Sequence, residues 1–181
     1  METKKVYKLF RRDDDGCLHP LFIDTERTLI EEEWEDAWAP DVSKLDELDE
    51  GYHFIQRDNQ TGWYTRVKPT PMEVVSASYL RGRWIQIARD KRGRRRYYDI
   101  GLGSDGQVLR FAHRPGWHTS ATPSLPAVDM TGKVWAECLI PADDCYTIHR
   151  NVSGLSRKHE PIDWYISQKL YIVRVLPDAM P

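Results

Sequence analysis

The chain has 181 residues, of which 26 are Lys or Arg, 28 are Asp or Glu, and 40% are hydrophobic. This length predicts one domain over residues 1–181, with enough apolar side chains for a core. No apolar run approaches the roughly 18 residues of a membrane-spanning helix, so we expect no membrane partner. The first residues lack the apolar stretch of a secretory signal, and we therefore expect a cytoplasmic protein. Three cysteines without a CxxC pair predict reduced thiols rather than disulfides or a metal site: Cys17, Cys138 and Cys145.

The net charge of -2 hides three blocks of different sign. Residues 1–50 carry 7 basic and 16 acidic side chains, residues 51–118 carry 13 and 5, and residues 119–181 carry 6 and 7. The basic middle block indicates a surface for an anionic ligand. Either the acidic block packs against it within the fold, or each block is a surface for a separate partner.

The N-terminal third predicts a hairpin followed by helix. Residues 6–11 alternate with period two, an acidic run and Gly16 supply a turn, and residues 18–23 form the second strand. Residues 25–38 have apolar side chains at helical spacing, with Pro40 as a stop. A short helical turn is expected at residues 43–48. The acidic, partly helical segment 24–50 is interpreted as an insertion.

The rest of the chain predicts strands. Turn residues separate short β segments in the middle block, an apolar strand stops at Pro141, and a final apolar strand closes the chain. The pattern predicts an α+β fold with mainly antiparallel strands and few helices. The predicted strands after the acidic block are 52–56, 63–67, 84–88, 97–102, 108–112, 134–140 and 164–176.

The most basic stretch lies in segment 81–114, which we consider as a surface for a host protein or a nucleic acid. A hairpin tip that joins arginines to aromatic rings can grip phosphates and stack on bases. A solvated turn whose charges aid solubility is the alternative. The candidate nucleic-acid-binding residues are Arg92, Arg94, Arg95, Arg96 and Tyr97.

A second candidate site surrounds the turn at Pro115 and Gly116. This turn is expected to present Arg114, Trp117 and His118 close together. Histidine titrates near neutral pH and can act as a general acid or base, and arginine binds phosphate or carboxylate through a rigid fork. Arg114 and Trp117 are therefore candidate ligand-binding residues. A packed histidine bonded to backbone is the alternative for His118.

Glu137 is the one acidic residue in the apolar segment 134–140. A buried carboxylate is costly unless it is paired, and alternation places it on one face with Trp135 and Leu139. We therefore expect a semi-buried position. The sequence contains no phosphate loop, no dinucleotide-binding glycine motif, no HExxH and no nucleophile elbow.

The chain resembles a group of uncharacterised proteins from phages and prophages of gut bacteria. The resemblance spans nearly the whole chain and is most specific at the Arg-Pro-Gly-Trp-His block. It implies a phage- or prophage-derived accessory protein acting in the host cytoplasm. The blocks that carry it are residues 7–11, 18–23, 114–118, 134–137, 141–144, 164–167 and 173–176.

The order of these features also resembles the split β-sheet of the ADP-ribosyltransferase superfamily. The resemblance implies that Arg11 on the first strand holds NAD, that His118 lies near the nicotinamide side, and that Glu137 stabilises the oxocarbenium-like centre. NAD would then be a substrate, and Arg11, His118 and Glu137 would be catalytic. Trp135 stands where protein-arginine transferases carry a second acidic or amide residue. Two hypotheses stay open: a binding protein for a host protein or nucleic acid, and an NAD-using enzyme.

Overall fold

The computed structural model describes residues 1–38, 42–58, 60–103, 105–124, 129–150 and 162–177. Strands dominate these ranges. In chain order the elements are β1 Thr3–Arg12, β2 Leu18–His19, β3 Trp34–Asp36, α1 Val42–Leu45, β4 Gly51–Gln56, β5 Thr61–Thr65, α2 Pro71–Tyr79, β6 Gly82–Arg89, β7 Arg95–Leu102, β8 Val108–Ala112, β9 Trp117–Ser120, β10 Lys133–Pro141, β11 Cys145–Arg150, β12 Ile162–Ser167 and β13 Lys169–Val175.

The chain divides into two compact units. Unit 1 comprises Met1–His19, Thr28–Trp38 and Pro115–Pro181, and unit 2 comprises Pro20–Arg27 and Ala39–Arg114. Each unit contains one antiparallel sheet among the described residues. The prediction of a single domain over residues 1–181 stays a prediction.

The sheet of unit 1 has eight strands in the order β11-β12-β9-β1-β10-β13-β3, with β2 paired to β1. Strand β3 forms an edge of this sheet, four strands away from β9 in the order. The Trp117 indole N–H of β9 nevertheless donates to the Glu35 carbonyl of β3 at 2.9 Å, which shows that the sheet curls. The inner, concave face holds the apolar core. Alternation along β10 places every second side chain on this face: Val134, Ala136, Cys138 and Ile140.

The sheet of unit 2 has the strand order β5-β4-β6-β7-β8. One of its faces packs against α2, with Phe54, Trp84 and Ile100 in a buried cluster that includes Ala77 of the helix. Helix α2 begins at a capping box, in which the Thr70 side chain accepts from the Glu73 backbone N–H. The Trp84 indole N–H donates to the Glu73 carbonyl at 3.3 Å and ties the helix to β6.

The opposite face of this sheet is covered by residues 20–27 and by residues 45–50, which run on from the end of α1. The Leu102 backbone N–H donates to the Phe22 carbonyl at 3.1 Å. A Cβ at Gly101 would lie 2.0 Å from that same carbonyl, so only glycine lets the two backbones approach. Leu45 is fully buried in the covering segment. We call this side of the sheet the covered face.

The predicted α+β class is wrong, and so is the ADP-ribosyltransferase-like fold that the resemblance implied. The described residues form a β-rich structure of two open antiparallel sheets, with one nine-residue helix and a single helical turn at α1.

The predicted helix over residues 25–38 is the main error. The Leu29 N–H donates to the Leu18 carbonyl at 2.9 Å, and the Glu32 N–H donates to the Ile172 carbonyl at 2.8 Å. These donors bind neighbouring strands instead of the preceding helical turn, and residues 34–36 form the edge strand β3. Pairing to an open sheet edge therefore outweighs the helical spacing of the apolar residues.

The final apolar segment was predicted as one strand over residues 164–176, and it forms two. A bend at Gln168 separates β12 from β13, and these two strands pair with β9 and β10 respectively. Helix α2 and strands β9 and β11 were not predicted. The three cysteines are free thiols. Within the described ranges, no helix is long and apolar enough to cross a membrane.

Candidate functional site

The three residues assigned to catalysis all lie in unit 1, on adjacent strands. Arg11 of β1 pairs with Lys133, whereas Glu137 of β10 pairs with Tyr7. Four strand positions therefore separate Arg11 from Glu137, which is roughly 13 Å of backbone at 3.3 Å per residue. The two side chains share a sheet face at that separation.

Glu137 forms ion pairs with two basic side chains. Its Oε2 lies 3.8 Å from Lys5 Nζ and 3.3 Å from Arg174 Nη2, and its side chain is only 15% exposed. The carboxylate is thus semi-buried, as expected, and compensated by its neighbours. This arrangement suits cross-strand pairing of β1, β10 and β13, and His118 lies on β9, on the other side of β1.

The two residues that follow the Pro115–Gly116 turn lie on opposite faces of β9. Trp117 is buried in the unit 1 core, and His118, its neighbour on β9, points to the opposite face by alternation. The His118 carbonyl accepts a hydrogen bond from Lys8 Nζ at 3.0 Å. Arg114 ends unit 2, whereas Trp117 and His118 belong to unit 1.

The basic hairpin between β6 and β7 is organised by Asp90. This carboxylate accepts from Arg94 Nε at 2.9 Å and from Arg96 Nε at 3.2 Å. It also accepts from the backbone N–H groups of Arg94 and Arg92. These bonds, the Arg94 backbone donor first among them, lower the pKa of Asp90 to about 2. Arg94 and Arg96, which were predicted to bind phosphate, are therefore already paired with the Asp90 carboxylate.

Two of the predicted nucleic-acid-binding residues point to the covered face instead. Arg95 Nη2 donates to the Leu45 carbonyl at 3.0 Å and also to the Leu48 carbonyl, and the Tyr97 hydroxyl donates to the Asp46 carboxylate. Burial raises the pKa of Tyr97 above its ordinary value.

A further ion pair closes the same side. Arg89 Nε lies 2.6 Å from a Glu50 carboxylate oxygen. Residues 45–50 of the acidic block thus pack against the basic block. For these residues the first of the two alternatives, packing within the fold, holds.

The other face of the unit 2 sheet carries a site that sequence reasoning missed. Cross-strand register aligns Tyr52 with Gln86 and Gln86 with Tyr98. The Arg110 guanidinium lies 4.6 Å above the centre of the Tyr98 ring. Both tyrosines are half-buried, and Arg96 and Arg110 are exposed. Tyr52 also packs against the cluster beneath α2. We call this part of the α2-bearing side of the sheet the open face: Tyr52, Gln86, Arg96, Tyr98 and Arg110.

The electrostatics of the open face are basic. Unit 2 contains 15 basic and 12 acidic residues, and Asp46 and Glu50 are engaged on the covered face. Among described strand positions of the open face, none carries a carboxylate, and Asp90 lies beyond them at the hairpin tip. Trp63 at the edge strand β5 adds an aromatic ring that is 60% exposed and lies 5.7 Å from Phe54.

A sequence signal for the open face existed. Arg96 and Tyr98 alternate with Arg95 and Tyr97, so period two already divides the basic run between two faces. The partner strands were needed to show which face is free, because Tyr52 and Arg110 are distant in sequence.

The fold and this face define the class of protein: a β-rich chain with a sheet surface of half-buried tyrosines and exposed arginines. Comparison with protein-family models, with curated proteins and with solved structures finds no match to this chain. The resemblance to phage and prophage proteins therefore stays a prediction. No cluster of three or more potential metal ligands occurs in the part of the chain that the structure describes.

Proposed function

We propose that unit 2 binds single-stranded nucleic acid across its open face. The observation that carries this proposal is the Arg110 guanidinium stacked 4.6 Å above the Tyr98 ring. Such a pair presents a flat, cationic surface on which a base can stack while the arginine holds a phosphate.

A second tyrosine ring on this face extends the surface on which bases can stack. Tyr52 lies two strands from Tyr98, with Gln86 between them. Neighbouring strands are about 4.8 Å apart, so the two rings are separated by roughly 10 Å. Gln86 offers an amide donor and acceptor to a base edge between the rings.

Single strands fit this face better than a duplex. Stacking on half-buried tyrosines requires exposed base faces, which a duplex keeps inside its own stack. The excess of basic residues in unit 2 favours the phosphate backbone without sequence preference.

The hypothesis of an NAD-using enzyme has no comparable support. Arg11 and Glu137 are four strand positions apart, and Glu137 is paired with Lys5 and Arg174. The catalytic roles that the resemblance implies for Arg11, His118 and Glu137 stay a prediction.

The experiment is fluorescence anisotropy with a labelled oligothymidylate of about 12 nucleotides and a duplex of the same length. With about three phosphate contacts, we expect affinity for the single strand to fall about twentyfold between about 50 mM and 200 mM salt. The duplex should bind more weakly.

Matched variants test the face itself. Arg110→Gln should weaken oligothymidylate binding about five- to tenfold. The control Arg89→Gln removes the same charge from the covered face and should stay within about twofold. No binding at low salt, or an equal loss in both variants, would overturn the proposal.

A further inference from the structure

A second site, independent of unit 2, lies on the concave face of the unit 1 sheet. Val6 and Phe10 of β1 are fully buried there, and alternation places Lys8 between them on the same face. Lys8 pairs in register with Ala136, which is also fully buried. An ammonium group is therefore built into an apolar core face.

The surroundings of this ammonium are aromatic. Lys8 Nζ lies 5.5 Å from the centre of the Trp117 ring and 5.7 Å from that of Phe10. Its hydrogen-bond acceptor is the His118 carbonyl at 3.0 Å. Rings and one carbonyl stabilise a cation only in part, because neither supplies a full negative charge.

Charge compensation at Lys8 is incomplete. Among the described residues no carboxylate lies within 4.0 Å of Lys8 Nζ. Burial lowers the pKa of Lys8 to about 8. The neighbouring Cys138 thiol provides no counterion, since burial raises its pKa to about 12. The carbonyl and the two rings leave the ammonium group with a net charge in an apolar setting, which a bound anion would compensate.

A second lysine and a second ring extend the site. Lys4 pairs in register with the buried Ile140, so it shares the concave face with Lys8. Its Nζ lies 4.2 Å from the centre of the Tyr165 ring. Tyr165 pairs with Thr119 of β9 and packs against the same core as Trp117. We call Lys4, Lys8, Trp117 and Tyr165 the lysine-aromatic cluster.

The pairing of β9 differs on its two sides. Strands β1 and β9 pair at a single point, Tyr7 with Ser120, whereas β9 pairs with β12 along four residues. Within the described ranges this is the one residue pair that joins β9 to β1, and the His118 carbonyl accepts from the Lys8 ammonium group. Lys4, Lys8 and Tyr165 keep part of their surface exposed to solvent.

We propose that the lysine-aromatic cluster binds a small organic carboxylate with an aromatic body, whose carboxylate pairs with Lys8 and whose ring packs against Trp117 and Tyr165. One carboxylate supplies the single negative charge that Lys8 lacks, and it leaves a neutral pair in an apolar setting. A phosphate dianion would need more donors, of the kind that arginine forks supply.

The test uses 2-naphthoate as the probe and 2-naphthamide as its neutral analogue, with binding followed by calorimetry and by Trp fluorescence. Naphthoate should bind at least tenfold more tightly than the amide. In Lys8→Met this preference should disappear. Thermal unfolding should occur at the same or a higher temperature, because the variant removes a buried charge.

The matched control is Lys5→Met. Lys5 lies on the opposite face of β1, is 58% exposed and pairs with Glu137, so this variant should keep the preference for naphthoate. Equal binding of acid and amide to the wild type, or an unchanged preference in Lys8→Met, would overturn the proposal. Tighter binding of 2-naphthyl phosphate than of naphthoate would overturn the carboxylate assignment.

A pH series gives a readout that a packing role for Lys8 would not move. Naphthoate affinity should be constant below about pH 8 and fall above it by about tenfold per pH unit, as Lys8 loses its proton. The titratable groups facing Lys8 are Lys4 on its own strand, Cys138 on β10 and Tyr165 on β12. Affinity that is flat through pH 9 would contradict the proposal.

Discussion

The two faces of the unit 2 sheet are built from similar residues and have different surroundings. Arg95 and Tyr97 point to the covered face, where backbone carbonyls and Asp46 bind them. Arg96 and Tyr98, one residue further along the chain, point to the open face, where Arg110 stacks on Tyr98. The comparison teaches that residue type alone does not distinguish an internal contact from a ligand surface. Packing of the acidic segment decides which face stays available.

The largest expected effect comes from breaking the contact that closes the covered face. Gly101→Ala places a Cβ about 2.0 Å from the Phe22 carbonyl, so a backbone segment must move. We expect a loss of about 2–4 kcal/mol in the free energy of unfolding, measured by urea denaturation. Gly106→Asn is the control, since its side chain enters open space at a φ that asparagine tolerates. Similar losses of unfolding free energy in both variants would show that the backbone contact between Gly101 and Phe22 is not tight.

Removing the apolar anchor of the covering segment should have the next largest effect. Leu45 is 2% exposed, and Leu45→Ala should cost about 2–4 kcal/mol because a buried cavity is left. Leu109→Ala removes the same atoms from a side chain that is 41% exposed and should cost well under that. The measurement is the urea midpoint of each variant against wild type. Equal midpoints would mean that the acidic segment detaches in solution.

Substitution of two adjacent arginines should separate an effect on stability from an effect on oligothymidylate binding. Arg95→Met removes hydrogen bonds to the Leu45 and Leu48 carbonyls and should cost about 1–2 kcal/mol of stability, with oligothymidylate affinity unchanged. Arg96→Met should leave stability within about 0.5 kcal/mol, because its pair with Asp90 is exposed. It should weaken oligothymidylate binding severalfold. A loss of binding in Arg95→Met together with a loss of stability in Arg96→Met would contradict the assignment of the covered and open faces.

The smallest expected effect concerns the hairpin tip. Hydrogen bonds lower the pKa of Asp90 to about 2 in the folded state, below its ordinary value near 4. Its stabilising contribution is therefore fully present above about pH 4 and is lost as the pH falls towards about 2. An NMR titration of the Asp90 carboxyl and of the Arg94 amide should show one shared transition near pH 2. A transition near pH 4 would show that the tip is open in solution.

Much of unit 2 was predictable because its strands are bounded by turn residues and alternate in polarity. The predicted segments 84–88 and 97–102 lie within β6 and β7, and 108–112 coincides with β8. The prediction over 25–38 failed because its apolar spacing suits a helix equally well, whereas its backbone donors bind Leu18 and Ile172. The candidate site was likewise only partly predictable from the sequence. Residue types near Arg96 were noticed, but the stacking of Arg110 on Tyr98 joins strands that the sequence does not pair.

The chain's own residues determined the charge blocks, the turns and most of the strands in the basic middle, because these depend on neighbours in sequence. Only the tertiary structure decided which strands pair, and pairing sets what every second side chain faces. Pairing placed residues 45–50 on Arg95, left Tyr98 uncovered, and turned Lys8 into an apolar face beside Trp117. A shift of one residue in any strand would reverse these exposures, since the side-chain period of a strand is two.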